Sequence, residues 1–343
     1  MALPLKAVSA PGKVLLAGGY LVLDRDYTGL VFGLDARIHV VIQPLPTPSG
    51  VSLQEIIVKS PQFKDAVWQY GYRQAADDAG VEVTQLDPSR TGTLNRNPFV
   101  ETTLAYALSY ITALTHAPIP ASTITILADT AYYSNTPSPS PNNPSSQFAN
   151  FAVPLHSAHK TGLGSSAALV TSLTAALLAH YLPPTSFSLS PSPSTNTDSN
   201  TTTNTTNKSK THLHNLAQAA HCAAQGKIGS GFDIASAVHG SALYRRFSPS
   251  ILAQTTSSTP GSTPGFALTL TSLVQDTAAP PKWDTQITPP NSSLSPPPPK
   301  TNPNPNGRTT PPSHPTSPQS APISAPSPPP QTCPSSQSSK HAF

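Results

Sequence analysis

Apolar and polar positions along this chain change period several times before about residue 275. Four runs, Leu5 to Ala17, Leu30 to Gln43, Val51 to Lys59 and Val81 to Gln85, are β-branched and apolar and are broken by turn residues, which predicts strands of a mixed sheet. At Asn97 the period becomes helical. Asn97 suits an N-cap, Pro98 suits the first helical position, and Val100, Leu104, Ala107, Leu108, Ile111 and Leu114 recur at helical spacing. Thr123 to Ala128 returns to a strand. Ala167 to Ala179 is apolar nearly all round, the mark of a helix buried among neighbours and too short to cross a bilayer. A helix through Leu213, Leu216, Ala217, Ala220 and Ala224 follows, then a glycine turn, a second helix ending near Gly240 and a strand from Ala242 to Phe247. Pro264 to Val274 is a last amphipathic candidate, beyond which order is expected to fade.

Composition changes this picture in its gaps. The 343 residues include 42 prolines with only 10% charged and 6% aromatic side chains, an unusual balance for a compact enzyme. The bias is local. Ser134 to Asn150 and Pro183 to Lys210 are mainly Ser, Thr, Asn and Pro and read as surface insertions. Residues 289–343 hold no Asp or Glu and almost no large apolar side chain, too little to offset the entropy of ordering them. The expected organisation is one α+β domain over 1–288, with insertions at 134–150 and 183–210, followed by a disordered Pro/Ser-rich tail at 289–343.

Charge and cysteine content narrow the function. A formal net charge of +4 comes from 19 basic and 15 acidic residues without a basic cluster, so nucleic acid is not an expected partner. The two cysteines, Cys222 and Cys333, offer neither a disulfide framework nor a Cys-based metal site. Met1 to Ala10 has no secretory h-region and no apolar run reaches the length of a membrane span, so a soluble cytoplasmic protein is expected.

Three segments carry chemistry. Lys160-Thr161-Gly162-Leu163-Gly164-Ser165-Ser166-Ala167-Ala168 is a glycine loop opening into the buried helix. Free amides and the positive end of a helix dipole favour a polyanion there. Ser165 and Ser166 offer hydroxyls for Mg2+, and Lys160 offers a charge between phosphoryl groups. No Gly-Lys-Ser/Thr closes the loop, so it is not a Walker A motif. Gln225-Gly226-Lys227-Ile228-Gly229-Ser230-Gly231-Phe232-Asp233 delivers one acid to a helix start, where Asp233 suits a base, a metal ligand or a plain cap. Ala10-Pro11-Gly12-Lys13 brings Lys13 off a Pro-Gly turn to face an anion or solvent.

Together these segments resemble the GHMP kinases, the superfamily of galactokinase, homoserine kinase, mevalonate kinase and phosphomevalonate kinase. Where relatives typically read Gly-Glu-His after the first strand, this chain reads Gly18-Gly19-Tyr20-Leu21-Val22-Leu23-Asp24, similar to the phosphomevalonate kinase branch. His159 to Ser166, Ala220-His221-Cys222 and Gln225 to Asp233 resemble its fungal type. The resemblance covers roughly residues 5 to 275 outside the two insertions. It implies the family's N-terminal domain, a ribosomal protein S5 domain 2-like mixed sheet with helices.

What the resemblance implies for the site is specific. Lys13, Asp233 and Lys160 take catalytic positions, and Gly162, Leu163, Gly164, Ser165, Ser166 and Ala167 wrap the phosphates of ATP. Ser166 and Asp233 hold Mg2+. Lys13, Lys160 and Ser230 contact the acceptor, with Arg245 and Arg246 as candidates for its carboxylate or phosphate. Mevalonate kinases place a second metal-binding glutamate where this chain has Cys222, and neighbouring His221 is not the oxygen ligand that Mg2+ prefers. The implied reaction is ATP plus 5-phosphomevalonate giving ADP plus 5-diphosphomevalonate, on the mevalonate route to isoprenoids and sterols.

The same resemblance predicts a gap. The family closes its site with a C-terminal domain bearing a third glycine-rich motif, but after Gly265 this chain has only Gly307, as in a truncated or frame-altered relative. Two other readings follow: a relative that binds nucleotide without turnover, and an interaction protein whose tail, at Pro296 to Pro299, displays extended segments to SH3- or WW-like domains.

Overall fold

In a computed structural model the residues described are 5–48, 51–86, 96–135, 147–190, 199–277 and 282–290, with side chains of 199–204 excepted. The chain divides into two units, Met1–Ser293 and Leu294–Phe343. The second unit lies outside the described residues, and so do the expectations placed on it: the disordered tail, its Pro-rich docking segment and Cys333. The middles of both expected insertions, 136–146 and 191–198, lie outside them too.

The first unit is built on one eight-stranded mixed sheet. Its strands are β1 (Lys6–Ala17), β2 (Gly29–Pro44), β3 (Glu55–Lys59), β4 (Val67–Gln74), β5 (Val81–Leu86), β6 (Ser122–Ala128), β7 (Ala242–Arg245) and β8 (Gln286–Thr288). The order runs β5-β4-β3-β6-β2-β7-β8, with β1 also paired to β2. Strand alternation sets the faces. In β6, Ser122, Ile124, Ile126 and Ala128 turn inward while the residues between them are half-buried. The long β2 is the hub, antiparallel to β1, β6 and β7. The β1–β2 ladder shifts register between Pro11 and Lys13, a local irregularity that turns the Lys13 amide out of the ladder.

Helices cover the inner face. They are α1 (Pro98–Thr115), α2 (Ser165–Tyr181), α3 (Ser199–Gln225), α4 (Phe232–His239), the single turn α5 (Ala253–Thr256) and α6 (Phe266–Val274). Asn97 caps α1 as its sequence predicts, its side chain accepting from the Val100 amide at 3.3 Å. The α2 helix lies at the centre, against β1 and β2 on one side and α1, α3 and α4 on the others. That surrounding explains its lack of a polar stripe, since every face meets another element.

The structure adds to the sequence expectations in three places. Strand β4 was not anticipated, although Trp68, Tyr70 and Tyr72 alternate with polar residues and are all buried. Order does not fade after α6: the Trp283 indole donates to the Leu273 carbonyl at 2.9 Å, and β8 then pairs with β7. The third is a correction. The expected surface insertion at 183–210 is shorter, because α3 begins at Ser199 and Phe187 is buried at 3% exposure. Ser, Thr and Asn form helices poorly, but docking one face of α3 on the core overrides that weak preference.

Candidate functional site

The glycine loop is pinned at both flanks and open in the middle. On one side Thr161 donates from its amide to the Tyr132 carbonyl (3.0 Å) and from its hydroxyl to the Ala131 carbonyl (2.8 Å). On the other, the Leu163 carbonyl accepts the Lys13 amide at 2.9 Å. Gly164 then takes the left-handed conformation (φ 78°), and α2 starts at Ser165 without a side-chain cap. The first amides of a helix have no partner within it. Here they add to the helix dipole, three residues from the exposed Gly162.

Lys13 lies along this loop. A Cβ added to Gly164 would sit 2.9 Å from Lys13 Cε, so only glycine leaves the lysine stem room. Its ammonium rests 5.5 Å from the centre of the Phe232 ring, whose next residue in the chain is Asp233. The two segments meet although more than two hundred residues separate them.

Asp233 is delivered by a second glycine turn. Gly231 is left-handed (φ 86°) and caps α4, and a Cβ there would fall 2.6 Å from the Tyr244 hydroxyl and 2.7 Å from Phe247. Tyr244 donates to the Ser230 carbonyl at 2.7 Å. Asp233 Oδ1 accepts the Ile234 amide at 3.0 Å, and Oδ2 faces His221 Nδ1 at 4.0 Å.

His221, set aside in the sequence as a metal ligand, turns out to join the two turns. From α3 its Nε2 meets Ser166 Oγ at 3.2 Å and the Gln225 amide nitrogen at 3.3 Å, while its Nδ1 faces Asp233. Burial holds its pKa below the ordinary histidine value, and the Asp233 carboxylate opposes that shift in part. Cys222, next to His221 in the chain, is fully buried in the core instead. Its sulfur accepts from Gln218 Nε2 at 3.2 Å, and burial raises its thiol pKa.

Beside the loop opens a cavity of about 250 Å³. Lys160, Ser165 and Ser166 form one edge and Asn97 another, while Phe63, Trp68, Phe99 and Tyr133 give it aromatic walls. Sequence reasoning missed these walls. They come from four separated segments, and the alternating aromatics of β4 were the available signal.

The two arginines do not join this group. Arg246 donates to the carbonyls of Leu23 (2.7 Å), Ile228 (3.2 Å) and Gly229 (2.8 Å), so its guanidinium clamps the second glycine turn. Arg245 follows Tyr244 on β7, and strand alternation sends its side chain to the opposite face. Ser230 stays beside Asp233, its carbonyl held by Tyr244.

Among the described residues no cluster of three or more His, Cys, Asp or Glu is placed to hold a metal ion. The protein oxygens on offer are the hydroxyls of Ser165 and Ser166 at the loop and the Asp233 carboxylate, which faces the opposite nitrogen of the His221 ring from Ser166, so one ion could take the hydroxyl directly and the carboxylate only through water. That sparse oxygen set fits Mg2+, which keeps several waters and binds through one or two carboxylates and phosphates. It does not fit a metal that needs a full protein cage. No helix among the described residues is long and apolar enough to cross a membrane.

No protein-family model matches the chain. It is 52% identical over 288 residues to a phosphomevalonate kinase of Gibberella zeae, covering 83% of this chain and 59% of that protein. Over 308 residues it is 46% identical to a phosphomevalonate kinase of Aspergillus fumigatus, covering 82% and 58%. A phosphomevalonate kinase of Arabidopsis thaliana, named as peroxisomal, shares 32% over 275 residues, covering 71% and 51%. Among solved structures, that of Streptococcus pneumoniae phosphomevalonate kinase in complex with phosphomevalonate and AMPPNP is similar at 17% identity and TM-score 0.47, over 82% of this chain and 58% of that one. The chain thus spans under two thirds of the length of each relative, 59% of the first and 58% of the second. With 52% identity over 288 residues, 83% of its length, the chain belongs to the phosphomevalonate kinase family.

Proposed function

We propose that this chain binds ATP and takes part in its transfer of a phosphoryl group to 5-phosphomevalonate, giving 5-diphosphomevalonate in isoprenoid and sterol synthesis. One observation carries the reading: Lys13, the Gly162–Ser166 loop and the Asp233 turn, far apart in sequence, converge on one helix N-terminus.

The proposed division of labour follows from that geometry. The aromatic cavity takes the nucleobase, and the amides of the loop take the phosphates, with Lys160 at their mouth. Lys13 sits on the far side of Gly164, where it can offset charge on the transferred group. Ser166 directly and Asp233 through water would hold Mg2+, which when bound neutralises phosphate charge during transfer. An acceptor phosphate with a second pKa near ~6 is already largely ionised at neutral pH, so no strong base is needed. Asp233 therefore orients groups more than it removes a proton. Ser230 and Lys13 remain acceptor contacts; Arg245 and Arg246 are left out, one turned away and the other committed to backbone carbonyls. We place the chain in the cytoplasm, where a free buried thiol such as Cys222 stays reduced.

Two assays test this. Titration calorimetry with Mg-ATP should give saturable heat, and absence of heat would reject nucleotide binding. ADP release should rise with phosphomevalonate and not with mevalonate. The reverse preference would move the chain to a different acceptor, and no rate with either would limit it to binding.

A further inference from the structure

We propose that the chain carries a second anion site, separate from the glycine loop. It is a cavity between the β1–β2 pair and helices α2, α3 and α4, where Arg37 and Lys210 take the phosphate of a small monoester and apolar walls take its short stem. The proposal does not depend on the kinase reading.

The cavity measures about 250 Å³, just under the ~300–1,000 Å³ of sites for drug-sized ligands, so its occupant is small. It shares no lining residue with the cavity beside the loop and meets α2 farther along, at Thr171, Ser172 and Ala175. Its charge is one-sided. Arg37 from β2, Lys210 from α3 and His239 from the end of α4 line it, and no Asp or Glu does. Both Arg37 and Lys210 are half-buried, and among the described residues neither pairs with a carboxylate. Asp129, which does meet Arg37, accepts its backbone amide at 2.8 Å and is otherwise taken by His39 and Gln147. Two cations on one cavity repel each other, and a bound dianion removes that repulsion.

Arg37 is also held in place for the task. Its Nε donates to Ser9 Oγ at 2.7 Å and its Nη2 to the Ser9 carbonyl at 2.9 Å. Those bonds use one edge of the guanidinium and leave the Nη1–Nη2 edge for a forked grip on phosphate oxygens. Thr171, 2% exposed, adds a hydroxyl with no partner among the described residues. A buried hydroxyl left unpaired costs stability until a ligand or water completes it. Charge count selects the ligand class: a phosphate monoester carries about 1.5 to 2 negative charges at neutral pH, matching two cations, whereas a carboxylate carries one. Val8, Ala10, Leu213 and Val238 give the apolar wall for the stem.

The C-terminal end of α4 also reaches this cavity, and its partial negative charge offers the cations a purely structural use. Arg37, however, spends its bonds on Ser9, and among the described residues Lys210 donates to no carbonyl of that helix.

The test uses the full chain with Mg-ADP present, so that the glycine loop is filled, and butyl phosphate as the probe. Histidine ring signals followed by NMR report the two cavities separately. The His239 signal, identified by its loss in His239→Asn, should shift saturably, and that of His156, in the cavity beside the loop, should not. A shift of His156 alone, or of neither ring, overturns the proposal. Read from the same titration, inorganic phosphate should bind roughly tenfold more weakly for want of the stem, and pentanoate roughly tenfold more weakly for want of the second charge. Equal affinities for the three probes overturn the ligand class. Lys210→Gln should weaken butyl phosphate about tenfold at an unchanged melting temperature, with Lys210→Arg restoring it to within about threefold. If Lys210→Gln instead lowers the melting temperature and leaves the affinity as it was, the lysine serves α4 and the site falls. Should the chain fail to bind ADP, the kinase reading fails, and the two histidines still decide where butyl phosphate goes.

Discussion

Two turns of this molecule use the same backbone device for opposite electrostatic ends. Gly164 and Gly231 are both left-handed, both stand at the N-cap of a helix, and neither has a side chain of its own with which to cap the first amides. After Gly164 come two small hydroxyl residues, and the helix end is left open to an anion. After Gly231 come Phe232 and Asp233, so the protein supplies its own anion: the carboxylate accepts the Ile234 amide. The surroundings differ accordingly. The first glycine leaves room for a cation, the Lys13 stem; the second lies against Tyr244, Phe247 and Gln218, with Arg246 gripping the carbonyls just before it. One turn is built to receive charge, the other to hold it still.

The sharpest way to break this contrast is through Lys13. Lys13→Met should lower phosphoryl transfer by roughly 10²–10³-fold, the scale for losing one preorganised electrostatic partner, with little change in melting temperature. A large drop in stability with unchanged turnover would make Lys13 a packing residue of the first turn instead. Next in size, Gly231→Ala should cost about 3 kcal/mol in urea unfolding, because it combines left-handed strain with a forced contact against Tyr244 and Phe247. Gly164→Ala meets only the flexible lysine stem, so it should cost less stability and weaken nucleotide binding more. Equal stability losses at the two glycines would erase the distinction.

Smaller effects sharpen the same comparison. Arg246→Lys should cost about 2 kcal/mol, since one ammonium cannot reproduce a fork that reaches three carbonyls; ADP affinity, measured alongside, should stay near that of the unsubstituted chain. The smallest effect concerns α3, the helix on which both turns lean. Burial depresses the pKa of His212 and His214 on that helix, in addition to His221. Between the depressed folded values and the ordinary value near ~6.5, the unfolded chain binds protons that the folded chain refuses. Stability is therefore full above that value and declines as pH falls below it. Melting curves from pH 8 to 5 should show the decline, and His214→Gln should flatten it; an unchanged slope would assign the acid sensitivity elsewhere.

Much of this was legible in one dimension because local periodicity and turn chemistry are local physics. The cap at Asn97, the all-apolar α2, the β1, β2 and β6 runs and both glycine turns can be read directly, since each depends on neighbours within a few residues. Strand β4 was also written in the chain, as aromatics alternating with polar residues, and was missed because Gly71 interrupts the run. What could not be read were choices made by packing. Nothing in the order of residues says that Arg246 faces backward to three carbonyls while Arg245 crosses to the other face, or that His221 and not Cys222 meets the loop. On a helix, adjacent residues point about a hundred degrees apart, so which of the two reaches a site depends on how α3 is docked.

The sequence by itself thus determined the chemistry on offer: two glycine turns, two lysines, one acid and a pair of serines, each in a local setting suited to phosphate. Tertiary structure decided which of these groups meet and which neighbours hold them, because contact across two hundred residues is set by the docking of α2 and α4 on the β1–β2 ladder and of α3 against those two helices. That docking is an energy of the whole core, shared among many weak contacts, and no single stretch of the chain encodes it.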